Sequence, residues 1–386
     1  MGSFPVGVTA TVGTANLTAT QRTVVVGDPI ALGASHTCAL KPDNTVVCWG
    51  YNGRGALGNG SLTSQSIPTA VPGLTGVTAI SSGGEHTCAL KGDRTVVCWG
   101  SNASGQLGDN TTLNKNVPTL VTGLFGVVSI SAGYDHTCAV TNSAVFCWGL
   151  NDKGQLGDGT TVNKSAATLV SGLVTGAPGS PTLVGVSSGY RHTCATKSDG
   201  KVACWGQNAD GELGDGTRVD KLIPTPVVGL SGVAATHGGA RSTCALKTDG
   251  TLFCWGDNSS GALGDGTTVT KSLPTQVTGL SDVRSMAGGS SGTHCAVKAD
   301  ASAVCWGVGG SNQLGADTTS NSSVPLPVTG LTGAVFVASG PRHTCTLKAD
   351  ASLVCWGLND WGQLGDNTLV SRPLQTAVTG GAVFWK

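Results

Sequence analysis

Charge is scarce in this chain: Asp, Glu, Lys and Arg make up 11% of its 386 residues, less than half the usual share. Acids and bases balance at 22 each, so the formal net charge is zero. That balance leaves no electrostatic footprint for DNA, RNA or an anionic membrane. No run approaches the roughly eighteen apolar residues that a membrane-spanning helix needs. No amphipathic helical stretch is present, and Cys-x-x-Cys never occurs, which removes zinc-ribbon and thioredoxin-type sites. Met1–Thr20 lacks a basic n-region and a continuous apolar core, so no signal peptide is visible. The sequence reads as a mature or recombinant form, with Met1-Gly2-Ser3 as an added remnant.

What the chain does have is glycine, 60 residues of it, and 14 cysteines. The cysteines fall into local couples: Cys38 with Cys48, Cys88 with Cys98, Cys138 with Cys147, Cys194 with Cys204, Cys244 with Cys254, Cys295 with Cys305 and Cys345 with Cys355. First members lie 50, 50, 56, 50, 51 and 50 residues apart, which is a sevenfold internal repeat over about 24–380.

Residues 76–123 show the unit. Strand-like stretches are read at Val77–Ser82, His86–Lys91, Thr95–Trp99 and Pro118–Thr122. A Gly-Asp-Arg turn lies midway between Cys88 and Cys98, so the two face each other across an antiparallel hairpin. Facing residues have Cα atoms roughly 4.5–5.5 Å apart, within disulfide range. In the third repeat the couple is one residue closer and its turn is shortened to match. Seven disulfides, one per repeat, are therefore expected, in an oxidising compartment; a cytosolic protein with reduced thiols is the alternative.

Four antiparallel strands repeated seven times predict an all-β, seven-bladed propeller, a single domain over 1–386. Gly381–Trp385 resembles Gly333–Val337, and Pro5–Gly13 alternates like a strand. Strands from both termini are thus expected to close one blade.

The unit Ile80-Ser-Ser-Gly-Gly-Glu-His-Thr-Cys-Ala-Leu90, then Trp99-Gly-Ser-Asn-Ala-Ser-Gly-Gln-Leu-Gly108 and a later Pro118-x-x-Val, resembles the regulator of chromosome condensation repeat. The resemblance implies a seven-bladed propeller. The cysteine couple is not part of the general pattern and points to an extracellular branch. The pattern histidine is Ser242 in the fifth repeat, and in the sixth it sits beside an insertion at His294. The family's founder is an exchange factor for a small GTPase. Disulfides and neutral charge weigh against that role. The propeller-type β-lactamase inhibitory protein, secreted and enzyme-binding, is the closer analogue.

Little here reads as catalytic, and no cofactor or metal is expected. His36, His86, His136, His192 and His343 hold one repeat position each and are read as bonding within their own blades. Gly288-Gly-Ser-Ser-Gly292 matches a nucleophile-elbow pattern, with His294 and Asp300 nearby, but falls between strands. The Gly-x-Leu-Gly-Asp segments lack calcium-loop spacing. Asn102 and Asn258 head glycosylation sequons that composition alone explains. Trp49, Trp99, Trp148, Trp205, Trp255, Trp306 and Trp356 are read as blade-packing residues.

Variable positions are more informative. Strand direction places the Gly-x-x-His and Trp-Gly-x-Asn-x-x-Gly loops on one face, opposite the cysteine hairpin turns. That face gathers Glu85, Tyr134, Asp135, Tyr190, Arg191, Arg241 and Arg342 with Tyr51, Arg54, Lys153, Asp210, Asp257, Asp360 and Trp361. Tyr, Trp and Arg are hot-spot residues of protein interfaces. The expectation is a secreted, monomeric recognition module that binds a protein. A glycan-binding propeller comes second, with an enzyme and an exchange factor behind it.

Overall fold

The computed structural model describes residues 28–173, 182–380 and 384. Seven four-stranded antiparallel sheets occupy 30–70, 77–120, 127–169, 183–226, 233–276, 283–327 and 334–377. Each sheet is one blade made from four strands consecutive in sequence, and the first strands line a central channel. The fold is the expected seven-bladed propeller.

Local sequence accounts for the blade. The first strand of the second blade runs Val77–Ser82, the second His86–Lys91 and the third Val96–Gly100. The fourth is Lys115–Leu120, starting three residues before the expected Pro118 because Lys115 pairs with Gly100 beyond a bulge. Proline lacks a ladder donor and suits an edge. Pro68, Pro118, Pro224, Pro274 and Pro325 all sit in outermost strands.

All seven expected disulfides form, one per blade. Cys38 bonds Cys48, Cys88 bonds Cys98 and Cys138 bonds Cys147 in the first three blades. Cys194 bonds Cys204, Cys244 bonds Cys254, Cys295 bonds Cys305 and Cys345 bonds Cys355 in the other four. In each couple the two residues are direct partners across the second and third strands. The shortened turn of the third blade therefore keeps register, as expected. One detail differs: the paired Cα atoms are 4.1 Å apart, somewhat closer than the 4.5–5.5 Å that facing residues usually keep. The cysteines are sealed in the core between blades. Seven disulfides mark a protein of an oxidising environment.

The tryptophans seal the seams. Trp99 packs among Cys38, Leu40, Leu57 and Val71 of the blade before it, and its Nε1 donates to the Ala56 carbonyl at 2.8 Å. Gly108 shows why the motif needs its second glycine. Its φ is +70°, and a Cβ there would lie 2.8 Å from Nε1 of Trp148 in the next blade.

One expectation changes. The first and seventh blades are each complete in themselves, so no described sheet mixes strands from the two ends. Pro5–Gly13 and most of Gly381–Trp385 lie outside the described residues. Phe384 is described: it is buried at the junction of the seventh and first blades, 6.3 Å from the Trp49 ring.

Candidate binding face

The structure corrects the reading of the repeat histidines. They do not bond within their own blades. His36 reaches Thr87 at 2.9 Å, His86 reaches Thr137 at 2.9 Å, His136 reaches Thr193 at 3.0 Å and His192 reaches Thr243 at 2.9 Å. His343 closes the ring onto Thr37 at 2.8 Å. Every one of these bonds crosses a seam.

The proton positions follow from donor counting. Thr137 spends its single hydroxyl proton on the Gln106 carbonyl at 2.9 Å. His86 must therefore donate from Nε2, which leaves Nδ1 bare; that atom is buried without a partner in His86, His136, His192 and His343. Burial holds these imidazoles neutral, lowering His36 and His192 to about 4 and His86, His136 and His343 to about 3. They are joints, and no group of three or more metal-binding side chains occurs among the described residues.

The other suspected motifs also resolve into scaffolding. Asn102 is fully buried; its Nδ2 reaches Asp109, Thr111 and the Leu113 carbonyl, and its Oδ1 accepts from Leu107 N. Asn258 repeats this. Neither sequon offers its amide to a glycan. The Asp of Gly-x-Leu-Gly-Asp is thereby engaged as well, as in the Lys115–Asp109 pair at 3.4 Å. Ser290 lies in a strand-to-strand loop at the channel wall. His294 bonds Ser242 instead, and Asp300 pairs with Lys298 on a hairpin turn. No triad assembles there.

The variable loop residues do meet on one face, and they meet across seams. Arg54 of the first blade approaches Glu85 of the second at 3.7 Å. Gln106 reaches Asp135 of the third at 3.3 Å, and Asp152 binds Arg191 of the fourth at 2.5 Å. Asp210 meets Arg241 of the fifth at 3.7 Å, and Lys153 meets Asp220 at 3.5 Å. Burial, then the Glu85 charge, raises the Asp135 carboxyl. The opposite face carries a different, recurrent pattern of turn pairs such as Lys41–Asp43 and Lys91–Asp93. There, the Thr45 hydroxyl and then Lys41 pull Asp43 down to about 2.

Aromatics form two couples on the variable face. Tyr134 and Tyr190 have ring centroids 4.5 Å apart, with Arg191 stacked on Tyr190 at 5.5 Å. Tyr51 meets Trp361 edge-on at 4.9 Å, and Trp361 remains 47% exposed. Between the couples opens the channel, a cavity of about 760 Å³ whose wall mixes serine hydroxyls (Ser81, Ser131, Ser188) with Leu32, Ile130 and Phe336.

The RCC1-like domain family model matches residues 6–333. The chain belongs to this family. The yeast protein Prp20p from Saccharomyces cerevisiae, described with its binding to Gsp1p and histones, is 23% identical with a TM-score of 0.77, covering 89% of this chain and 87% of its own. Human WBSCR16 is 24% identical with a TM-score of 0.75 over 87% and 94% of the two chains. The ectodomain of the Arabidopsis thaliana receptor kinase ACR4 is 23% identical with a TM-score of 0.53 over 86% and 97%. These likenesses concern the fold. A search of curated proteins gave no match.

The sequence missed one residue worth having. Glu212 is 1% exposed, at a loop position where other blades carry Gln106, Gln155, Gln313 and Gln363. Its Oε2 accepts from Asp210 N at 2.8 Å while Oε1 has no partner, and burial raises it to about 7. The repeat alignment held the signal, a lone acid in a glutamine column.

Proposed function

We propose that this RCC1-like propeller is an extracytoplasmic recognition module that binds a protein through its variable loop face, without catalysis of its own. The observation that supports it most is the pairing of Tyr51 with Trp361 and of Tyr134 with Tyr190 on a face whose seams are bridged by ion pairs. Rigid aromatic anchors lower the ordering cost of association. Solved relatives are described with Gsp1p, histones or Kap60, which supports a protein as the bound class. The disulfides support an oxidising compartment. Tyr134 and Tyr190 spend their rings on each other rather than presenting separate sugar platforms, which favours a protein over a glycan.

The test is affinity capture from the native extracellular milieu, comparing wild type with a Tyr134→Ala/Tyr190→Ala/Trp361→Ala variant of equal thermal stability. A protein retained by wild type alone is the expected result. Equal retention by both overturns the assignment.

A further inference from the structure

We propose that the seam between the sixth and seventh blades receives a carboxylate side chain of the protein partner on Arg342, with an adjoining apolar side chain on Trp361. This rests on the loop-face reading above and names the chemistry that face selects.

Three arginines occupy one repeat position: Arg191, Arg241 and Arg342. The first two are neutralised by the preceding blade, through Asp152 and Asp210. The corresponding residues before Arg342 are Gly310 and Ser311. Arg342 is exposed, and among the described residues no carboxylate lies within ion-pair distance of it. The same guanidinium that is internally paired at two seams is left unpaired at the third.

The sixth-blade loop also lacks the asparagine–aspartate brace of most other blades. Gly309 replaces the buried loop asparagine, and Ala316 replaces the aspartate that asparagine would hold. Gly310 is exposed, and a Cβ on it would meet nothing within 4 Å. Open space at Gly310 thus stands where Asp152 supplies the acid at the Arg191 seam, Ser311 stands where Asp210 does at the Arg241 seam, and the cation is left uncompensated. At the next seam, Asp360 of the seventh blade is exposed and unpaired as well, because the first blade carries Ser35 where an arginine would stand. Trp361 follows it directly, its ring edge braced by Tyr51. Cation, aromatic and anion therefore sit on the loops of one blade. They fit a segment with an acid toward the sixth blade, an apolar residue at Trp361 and a base toward the first. Free charges of this kind set specificity, since a like charge brought against either is repelled.

The experiment pans a random linear peptide library on the immobilised intact propeller and measures the selected peptides against point variants. The expected peptides carry Asp or Glu beside a large apolar residue, and they lose about tenfold affinity on Arg342→Ala. Arg342→Glu should switch selection to peptides with Lys or Arg at the acidic position, while Lys91→Ala on the opposite face leaves binding unchanged. Peptides without an acid preference, or binding indifferent to Arg342→Ala, overturn the proposal. So does retention of an acidic glycan in place of acidic peptides. Binding abolished by Tyr134→Ala/Tyr190→Ala but untouched at Arg342 would keep the loop-face reading and discard this one. Binding untouched by either set of variants would discard both.

Discussion

Ser242 and His294 exchange the roles that histidine and threonine play at the other histidine-bridged seams. Elsewhere the histidine belongs to the earlier blade and the hydroxyl to the later one; here the hydroxyl of the fifth blade meets Nε2 of the sixth at 2.9 Å. His294 stands where other blades carry threonine, opposite Trp306, and stacks on that ring with centroids 5.9 Å apart. The exchange leaves Thr293 at the histidine position, so the seam to the seventh blade has no histidine bridge. A double-mutant cycle tests this. Ser242→His and His294→Thr should each destabilise, and the double variant should recover about 1 kcal/mol or more through coupling. Additive losses in thermal unfolding would show the two sites to be independent.

Acid should open the ring. Six seam histidines have folded values of about 3 to 4, below the ordinary 6.5. The unfolded chain therefore takes up protons that the fold excludes. Stability is full above about pH 6.5 and falls as the pH drops toward the folded values. The unfolding midpoint should fall by about 10 °C or more between about pH 7.5 and pH 5. A flat profile over that span would contradict the buried neutral state.

Glu212 predicts the opposite slope. Its folded value of about 7 exceeds the ordinary 4.5, so its contribution is favourable at low pH and is lost as the pH rises through 7. Glu212→Gln, which restores the residue other blades use, should stabilise by about 2 kcal/mol above pH 7.5 and by little near pH 4. Calorimetry of the two proteins at both pH values decides it.

The disulfides should resist reductant for as long as the ring stays shut. Their cysteines are essentially inaccessible, so thiol attack has to await unfolding. Mass-resolved reduction should proceed at the unfolding rate, with no early loss of a single bridge. Replacing Cys88 and Cys98 together by alanine should cost about 2–3 kcal/mol.

Much of this was legible because the repeat is its own ruler. Cys88 and Cys98 flank a turn symmetrically, so their pairing needed no three-dimensional information. The shared face of Arg54, Glu85, Tyr134 and Tyr190 followed from strand alternation alone. The partners of the histidines did not follow. Most repeats contain both His and Thr, side by side, and sequence cannot say that the bond runs to the next copy's threonine. Nor could it show that Tyr134 and Tyr190 stack on each other, or that Arg191 and Arg241 are paired while Arg342 is not. Those facts depend on how neighbouring blades meet, and that geometry lies between repeats rather than within one.

The junction of the seventh and first blades is made from the same parts as the others. His343 meets Thr37, and both Thr37 and Trp49 donate to the Gln363 carbonyl. No peptide bond crosses that junction within the described residues, yet it is as well fastened as its neighbours. Chain continuity between blades is therefore dispensable for closure. A protease cut in an exposed linker, beside Gly123 for instance, should leave a nicked molecule that migrates and melts like the intact one.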